Sequence, residues 1–287
     1  MIKRLPVLAV LSLLAVSVLW AQEMGRPASG PSTSPSNIPA NGDTADARLK
    51  ASTRHGEWVD IALPGTDTKI KTWVVYPERK DKAPVVLVIH EIFGMTNWVQ
   101  AVADQLAADG FIAVAPDLLS GMGPNGGGTD SLGNNVGQTI QKLTADDQAK
   151  RLDAVRDYAI SLPAATQKTA TIGFCWGGGS SFSYAVHQSK LNAAVVYYGT
   201  PPTKDQMSKI ECPVLGCYGG NDARVTLTVE PTRTAMAELK KSYTPDIYEG
   251  AGHGFLRQHT GATAAANIKA SEQAWPTTIA FLKKNLE

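Results

Sequence analysis

The stretch TIGFCWGGGSS, Thr171 to Ser181, decides how the rest of the chain is read. Thr171 to Phe174 has the composition of a buried strand, Cys175 stands in a glycine turn, and the residues from Trp176 onward open a helix. The frame Gly173-Phe174-Cys175-Trp176-Gly177, with Gly178 and Gly179 behind it, fits a sharp turn that lifts a nucleophile above a sheet. Glycines are needed on both sides because the backbone folds tightly and the helix must lie close to the strand. A helix N-terminus meeting the sulfur favours the thiolate. Three other readings compete: a buried structural cysteine, a flexible glycine linker and a dinucleotide-binding loop. The last needs G-x-G-x-x-G, and Cys175 stands where the second glycine belongs.

Outward from this turn the chain alternates buried strands with amphipathic helices. Pro84 to Ile89 (PVVLVI) is a continuous apolar run ending at His90, as expected of a central strand covered on both faces. Trp98, Val99, Val102, Ala103, Leu106 and Ala107 keep a helical period up to Gly110, and Phe111 to Ala115 is the next strand, closed by Pro116-Asp117. Residues 118–143 are rich in glycine and asparagine without a clear period, which predicts a long loop and a candidate active-site flap. Helix is predicted over Asp146 to Leu162, then strands at Thr169 to Phe174, Ala193 to Tyr198 and Pro213 to Tyr218. Helix at Leu227 to Lys241, strand at Pro245 to Tyr248 and helix at about Ala264 to Leu282 complete the pattern. Glu57 to Leu63 and Lys69 to Tyr76, split by Pro64-Gly65-Thr66-Asp67, predict an antiparallel entry hairpin. The whole reads as an α/β chain with a mostly parallel central sheet and helices on both faces.

The 287 residues, 43% hydrophobic, suffice for one sizeable domain, expected as a monomer. A formal charge of +1 offers no basic field for nucleic acid. Lys3 and Arg4 precede the apolar run Leu5 to Leu19, and Ala21 is a plausible cleavage point; residues 1–21 therefore read as an export signal, the alternative being an uncleaved anchor. The expected location is periplasmic or secreted. Residues 22–47 carry Pro27, Pro31, Pro35, Pro39 and many serines, and predict a disordered spacer before a domain at 48–287. No later apolar run is long enough to span a bilayer. Of three cysteines, Cys212 and Cys217 lie too far apart along one extended strand to bridge locally and read as core thiols.

In such a sheet ligands gather beyond the carboxyl ends of the strands. Four reactive residues fall there: Glu91 after His90, Cys175, Asp222 in GGND and His253 in EGAGHGF. Taken alone, Asp222 in Gly-Gly-Asn-Asp reads more readily as a turn aspartate. The order nucleophile, acid, histidine is nevertheless that of one known triad type. In that reading His253 holds the Cys175 proton, Asp222 fixes the imidazole, and the thiolate makes a thioester acyl-enzyme. The backbone N–H groups of Trp176 and Ile92 are the expected oxyanion donors. No H-x-x-x-H or C-x-x-C spacing supports a metal, and no cofactor is called for.

HEIFG at His90 to Gly94, APDL at Ala115 to Leu118, GFCWGG at Gly173 to Gly178, YYG at Tyr197 to Gly199, GGND at Gly219 to Asp222 and GHGF at Gly252 to Phe255 together resemble the dienelactone hydrolase family. The resemblance runs from about Glu57 to the C-terminus and implies an α/β-hydrolase fold, a Cys-His-Asp triad, no cofactor, and hydrolysis of cyclic enol-lactones. It further implies that Glu91 contacts the resting thiol and takes its proton when substrate binds, and that Arg257 holds a substrate carboxylate. Trp176, next to the cysteine, is read separately as lining the acyl pocket. A second carboxylate-binding arginine belongs just after APDL, where this chain has Leu119, Ser120 and Gly121. The reading that results is an exported cysteine hydrolase of a small lactone or ester. Its alternatives are a broad carboxylesterase or thioesterase, and a non-catalytic binding protein on the same fold.

Overall fold

The computed structural model describes Met1 and residues 37–287. The export signal expected at 1–21 and most of the expected spacer therefore lie outside the described residues. The chain runs through α1 (Ala45–Ala51), β1 (Gly56–Ala62), β2 (Lys69–Val75), β3 (Ala83–Ile89), α2 (Asn97–Ala108) and β4 (Ile112–Pro116). It continues with α3 (Thr129–Leu132), α4 (Val136–Ile140), α5 (Ala145–Ser161), β5 (Ala165–Phe174), α6 (Trp176–His187), β6 (Ala193–Tyr197) and α7 (Lys204–Met207). The last elements are β7 (Val214–Gly219), α8 (Ala223–Thr226), α9 (Val229–Glu238), β8 (Tyr243–Tyr248) and α10 (Ala264–Leu286).

The strands form one eight-stranded sheet in the order β1-β2-β4-β3-β5-β6-β7-β8. The expected hairpin is there: β1 pairs antiparallel with β2, and β2 antiparallel with β4. Every other neighbour pair is parallel. Side chains alternate across β3, so that Val86 and Val88 join one core with α2 and α10, while Val85, Leu87 and Ile89 join another with α5 and α6. Both faces of the central strands are thus covered, which is why β3 could be recognised as an unbroken apolar run.

Three expectations need correction. The spacer does not extend to Ala47: Ala40 and Ala45 are buried, Trp98 Nε1 donates to the Ala40 carbonyl at 3.0 Å, and Gly42 N–H donates to the Arg257 carbonyl at 2.8 Å. Proline-rich composition hid a segment that is held by backbone bonds and by the apolar face of α2. Residues 118–143 are not a plain loop, since they hold α3 and α4 and bury Leu118, Leu119, Leu132, Ile140 and Leu143. The buried Asp117 carboxylate organises them, accepting from Leu119 N (3.0 Å), Thr129 N (2.7 Å) and Thr129 Oγ1 (2.7 Å). The helix expected over 227–241 is shorter, α9, and is preceded by the separate turn α8.

Candidate active site

After β3 the chain crosses to β4 on one side, and β5 returns to the other side of β3. The order of the sheet reverses between β3 and β5, and α2 and α6 leave their carboxyl ends toward opposite faces. A crevice at such a switch point is the usual ligand site of an open α/β sheet. Glu91 follows β3 and Cys175 follows β5, so the topology alone brings these two residues to the crevice.

Cys175 has φ 57° and ψ −115°, a conformation that costs a non-glycine residue about 1–3 kcal/mol and is held by its surroundings. The hold is visible in the backbone: Cys175 N–H donates to the Tyr197 carbonyl at 3.0 Å, and Gly179 N–H donates to the Cys175 carbonyl at 3.2 Å. A Cβ on Gly177 would overlap the carbonyl oxygens of Ile89 and His90, and one on Gly173 would overlap the backbone of Gly177. The glycine pattern around the cysteine is therefore a requirement of close packing between β3, β5 and α6. Cys175 is half-buried and unpaired, whereas Cys212 and Cys217 are buried free thiols, each pushed up to about 12 by burial.

The turns after β7 and β8 are joined to each other. Gly220 N–H donates to Tyr248 O (2.7 Å), Asn221 N–H to Ala251 O (2.8 Å), and Asn221 Nδ2 to Gly250 O (3.1 Å). From α10 the buried Asn267 accepts from Gly252 N at 2.8 Å and donates through Nδ2 to the Gln258 carbonyl at 2.6 Å, fixing the loop on either side of His253. This scaffold sets His253 Nδ1 2.5 Å from Asp222 Oδ2, with the carboxylate nearly buried. His253 is raised to about 9, first by its interaction with the Cys175 sulfur, against which burial works, and then by Asp222. At neutral pH the imidazole accordingly carries its proton, with an anion acceptor on one side and the sulfur on the other.

The other predicted site residues are arranged differently from expectation. Arg257 Nε approaches Glu91 Oε2 to 2.6 Å, a charge contact off the line of an aligned hydrogen bond, and its guanidinium lies 4.9 Å from the Phe93 ring centroid. Glu91 makes no hydrogen bond to Cys175; the guanidinium is the charge that reaches it. Burial raises the Glu91 carboxyl, with Arg257 and His253 pulling the other way. Arg257 is thus engaged within the protein. The Ile92 N–H has no hydrogen-bond partner, and Trp176 is the first residue of α6, whose N–H finds no acceptor inside the helix. Neither N–H is thus committed to an acceptor within the protein.

His90 is buried and kept neutral by burial, which lowers its pKa. Its Nε2 accepts from Leu118 N at 3.2 Å, which assigns the proton to Nδ1 and makes it the donor to the Glu91 carbonyl at 2.8 Å. It stacks on Trp176 at 5.6 Å and so joins the loop after β3, the segment after β4 and the start of α6. In the sequence Tyr198 reads only as the end of the Ala193 to Tyr198 strand and as part of YYG. It has φ 40°, packs edge-on to His253 at 5.1 Å, and buries a hydroxyl that has no partner. Only a positive-φ tyrosine at a strand end could have given it away, and no sequence signal announces that. Among the described residues no three His, Cys, Asp or Glu side chains converge as metal ligands would.

A switch-point crevice beside a strained cysteine turn, faced by a histidine–aspartate pair from the later strand ends, defines an α/β-hydrolase. The model of the Dienelactone hydrolase family matches residues 70–286, and the chain belongs to that family, whose members are hydrolases acting on ester bonds. A protein of Escherichia coli (strain K12), provisionally named a carboxymethylenebutenolidase, is 27% identical over 235 residues, covering 78% of this chain and 85% of the relative. One of the same provisional name from Saccharolobus solfataricus is 27% identical over 259 residues, covering 78% and 98%. A crystal structure from Klebsiella pneumoniae, provisionally described as a dienelactone hydrolase, superposes with TM-score 0.69 at 24% identity over 81% of this chain and 99% of that one, a likeness of fold.

Proposed function

We propose that the protein is a cysteine hydrolase of a small lactone or ester, working through a thioester acyl-enzyme. The observation that carries this reading is the positioning of His253 between the Asp222 carboxylate and the Cys175 sulfur, with Cys175 at positive φ on the turn into α6. The Cys175 sulfur attacks the carbonyl carbon, and the oxyanion meets the N–H groups of Trp176 and Ile92. Collapse of the tetrahedral intermediate breaks the C–O bond, and the departing oxygen takes the proton from His253 Nε2. In the second half His253 accepts a proton from water as it attacks the thioester, and the sulfur leaves as a thiolate beside the protonated imidazole, as at the start. Asp222 holds the imidazole in one tautomer throughout.

Two features bear on the substrate. Arg257 is held on Glu91, and Leu119, Ser120 and Gly121 offer no second cation. A carboxylated lactone would have to draw Arg257 away from a buried carboxylate, so simple esters are favoured over dienelactone-like acids. This keeps a broad carboxylesterase as the second reading. The amino-terminal pattern supports export to the periplasm or beyond, a proposal tested by the mass of the mature amino terminus.

The deciding experiment compares 4-nitrophenyl acetate and dienelactone on the full chain and on Cys175→Ala. Turnover that the substitution abolishes, with an acyl adduct on Cys175 in the quenched wild type, is expected. Equal turnover by the variant would overturn the thiol mechanism, and binding without turnover would favour the non-catalytic alternative.

A further inference from the structure

Beside the nucleophile turn lies a cavity of about 290 Å³ that the triad does not use. Its floor is one face of α6, with Trp176, Gly179, Ser180 and Ser183 at helical spacing. Gln148 of α5 forms one wall, Thr200, Pro201 and Pro202 form the other, and Gln206 of α7 closes the rim. No charged side chain lines it. Some of its polar groups are already committed: Ser180 Oγ donates to Gln148 Oε1 at 2.7 Å, Gln148 Nε2 to the Leu143 carbonyl at 3.1 Å, and Gln206 Oε1 accepts from Thr203 N at 2.9 Å. Ser183 is half-buried, Thr200 and Gln206 are exposed, and the two hydroxyls and Gln206 Nε2 make no hydrogen bond within the protein. With no charge in the lining, these groups suit a ligand that is polar and uncharged.

The cavity also has a definite side. Trp176 packs with the core cluster of α5 and α6, whereas Cys175, Tyr198 and Phe255 belong to the cluster on the opposite face, where Tyr198 touches His253. A group in the cavity is therefore separated from His253 by the nucleophile turn. Because the histidine must protonate the departing oxygen, the leaving group lies on its side and the acyl remainder on the other. We propose that this cavity is the acyl subsite, and that it takes an uncharged acyl chain bearing a hydroxyl or ether oxygen. The assignment rests on the cysteine-hydrolase reading above. It goes further in naming the substrate class: hydroxyacyl esters, rather than apolar or carboxylated ones.

Three 4-nitrophenyl esters with one leaving group and matched chain length test it: 6-hydroxyhexanoyl, heptanoyl and the adipoyl monoester. One or two hydrogen bonds to an uncharged oxygen predict a kcat/KM about tenfold higher for the hydroxyacyl ester than for either competitor. The double variant Ser183→Ala/Gln206→Leu is expected to bring the hydroxyacyl-to-heptanoyl ratio to about one, its cooperative thermal unfolding showing that it is folded. The ratio is read within one protein, so a general change in turnover does not enter it. Preference for heptanoyl or adipoyl, or a ratio that the double variant leaves unmoved, overturns the subsite. Loss of turnover on all three together with no acyl adduct on wild-type Cys175 overturns the hydrolase reading itself, and the subsite with it.

Discussion

Cys175→Ala is expected to lower the titration of His253 more than any other single change in the site. The imidazole is raised from 6.5 to about 9, with the Cys175 sulfur the largest cause. A rise of that size corresponds to about 3 kcal/mol of interaction favouring the folded protein, reduced to about 2 kcal/mol because the side chain is roughly a third exposed. The folded value lies above the unfolded one. The stabilisation is therefore complete below pH 6.5 and is lost as pH climbs through about 9. Wild-type protein should lose about 2 kcal/mol from this source between pH 6.5 and 9.5, and the alanine variant less than half as much. Two measurements check it: imidazole carbon–proton NMR from pH 5.5 to 10, with His253→Gln assigning one signal among five histidines, and urea unfolding at the two pH values. A wild-type midpoint near 6.5, or the same midpoint in both proteins, would refute the coupling between His253 and the sulfur.

Other substitutions probe the support of the site. Gly177→Ala places a Cβ on the Ile89 and His90 carbonyl oxygens, which are backbone and cannot swing aside; a loss of about 3 kcal/mol or failure to fold is expected in denaturant titration. Arg257→Met leaves Glu91 buried without its cation, lowering stability by about 2 kcal/mol at pH 7.5. The Glu91 carboxyl then rises further, so the deficit in Tm should shrink as pH falls toward 5 and the group takes up a proton. Asp117→Asn exchanges a carboxylate accepting three hydrogen bonds for an amide that must turn one donor toward a donor, at about 1–3 kcal/mol and with faster hydrogen exchange across 118–143. Asp222→Asn should cut kcat by about 10⁴ with little change in folding, as loss of the orienting carboxylate does in triads generally.

The parts of this molecule that the sequence made legible are those enforced by a repeating pattern or by sterics. PVVLVI, short and rich in β-branched residues, has the pattern of a strand covered on both sides, and the glycines around Cys175 are dictated by backbone overlap, so the fold and the turn were readable from composition and spacing. Asp222 and His253 could be placed at strand ends, but what joins them is a set of backbone bonds between two turns, with Asn267 reaching in from α10. Such contacts leave no local signature. The same holds for Asp117, whose carboxylate folds a glycine-rich stretch that by composition should be loop, and for residues 37–47, which gain order from Trp98 and from the Arg257 carbonyl. Glu91 was singled out by its place after a strand and Arg257 by the family resemblance; that they face one another was not legible, because a pair so distant in sequence is fixed by topology.

The sheet divides the work of the site in a way that bears on how its specificity can change. The His253–Asp222 pair, to which the proposed mechanism gives the acid–base work, is built from the turns after β7 and β8 and braced by α10, while the proposed acyl side is built from α5, α6 and the segment between β6 and α7. The two halves meet at Cys175 and Trp176, neighbours on one strained turn that pack into opposite cores. Substitutions at Gln206 or Ser183 share no hydrogen-bond partner with Asp222 or His253, and effects at sites so separated ordinarily add. It follows that the preference for the acyl group can be altered without resetting the titration of His253. Trp176 is the exception: it lines the cavity, stacks on the buried His90 and, in the mechanism proposed, supplies an N–H to the oxyanion, so a change there should disturb both halves at once.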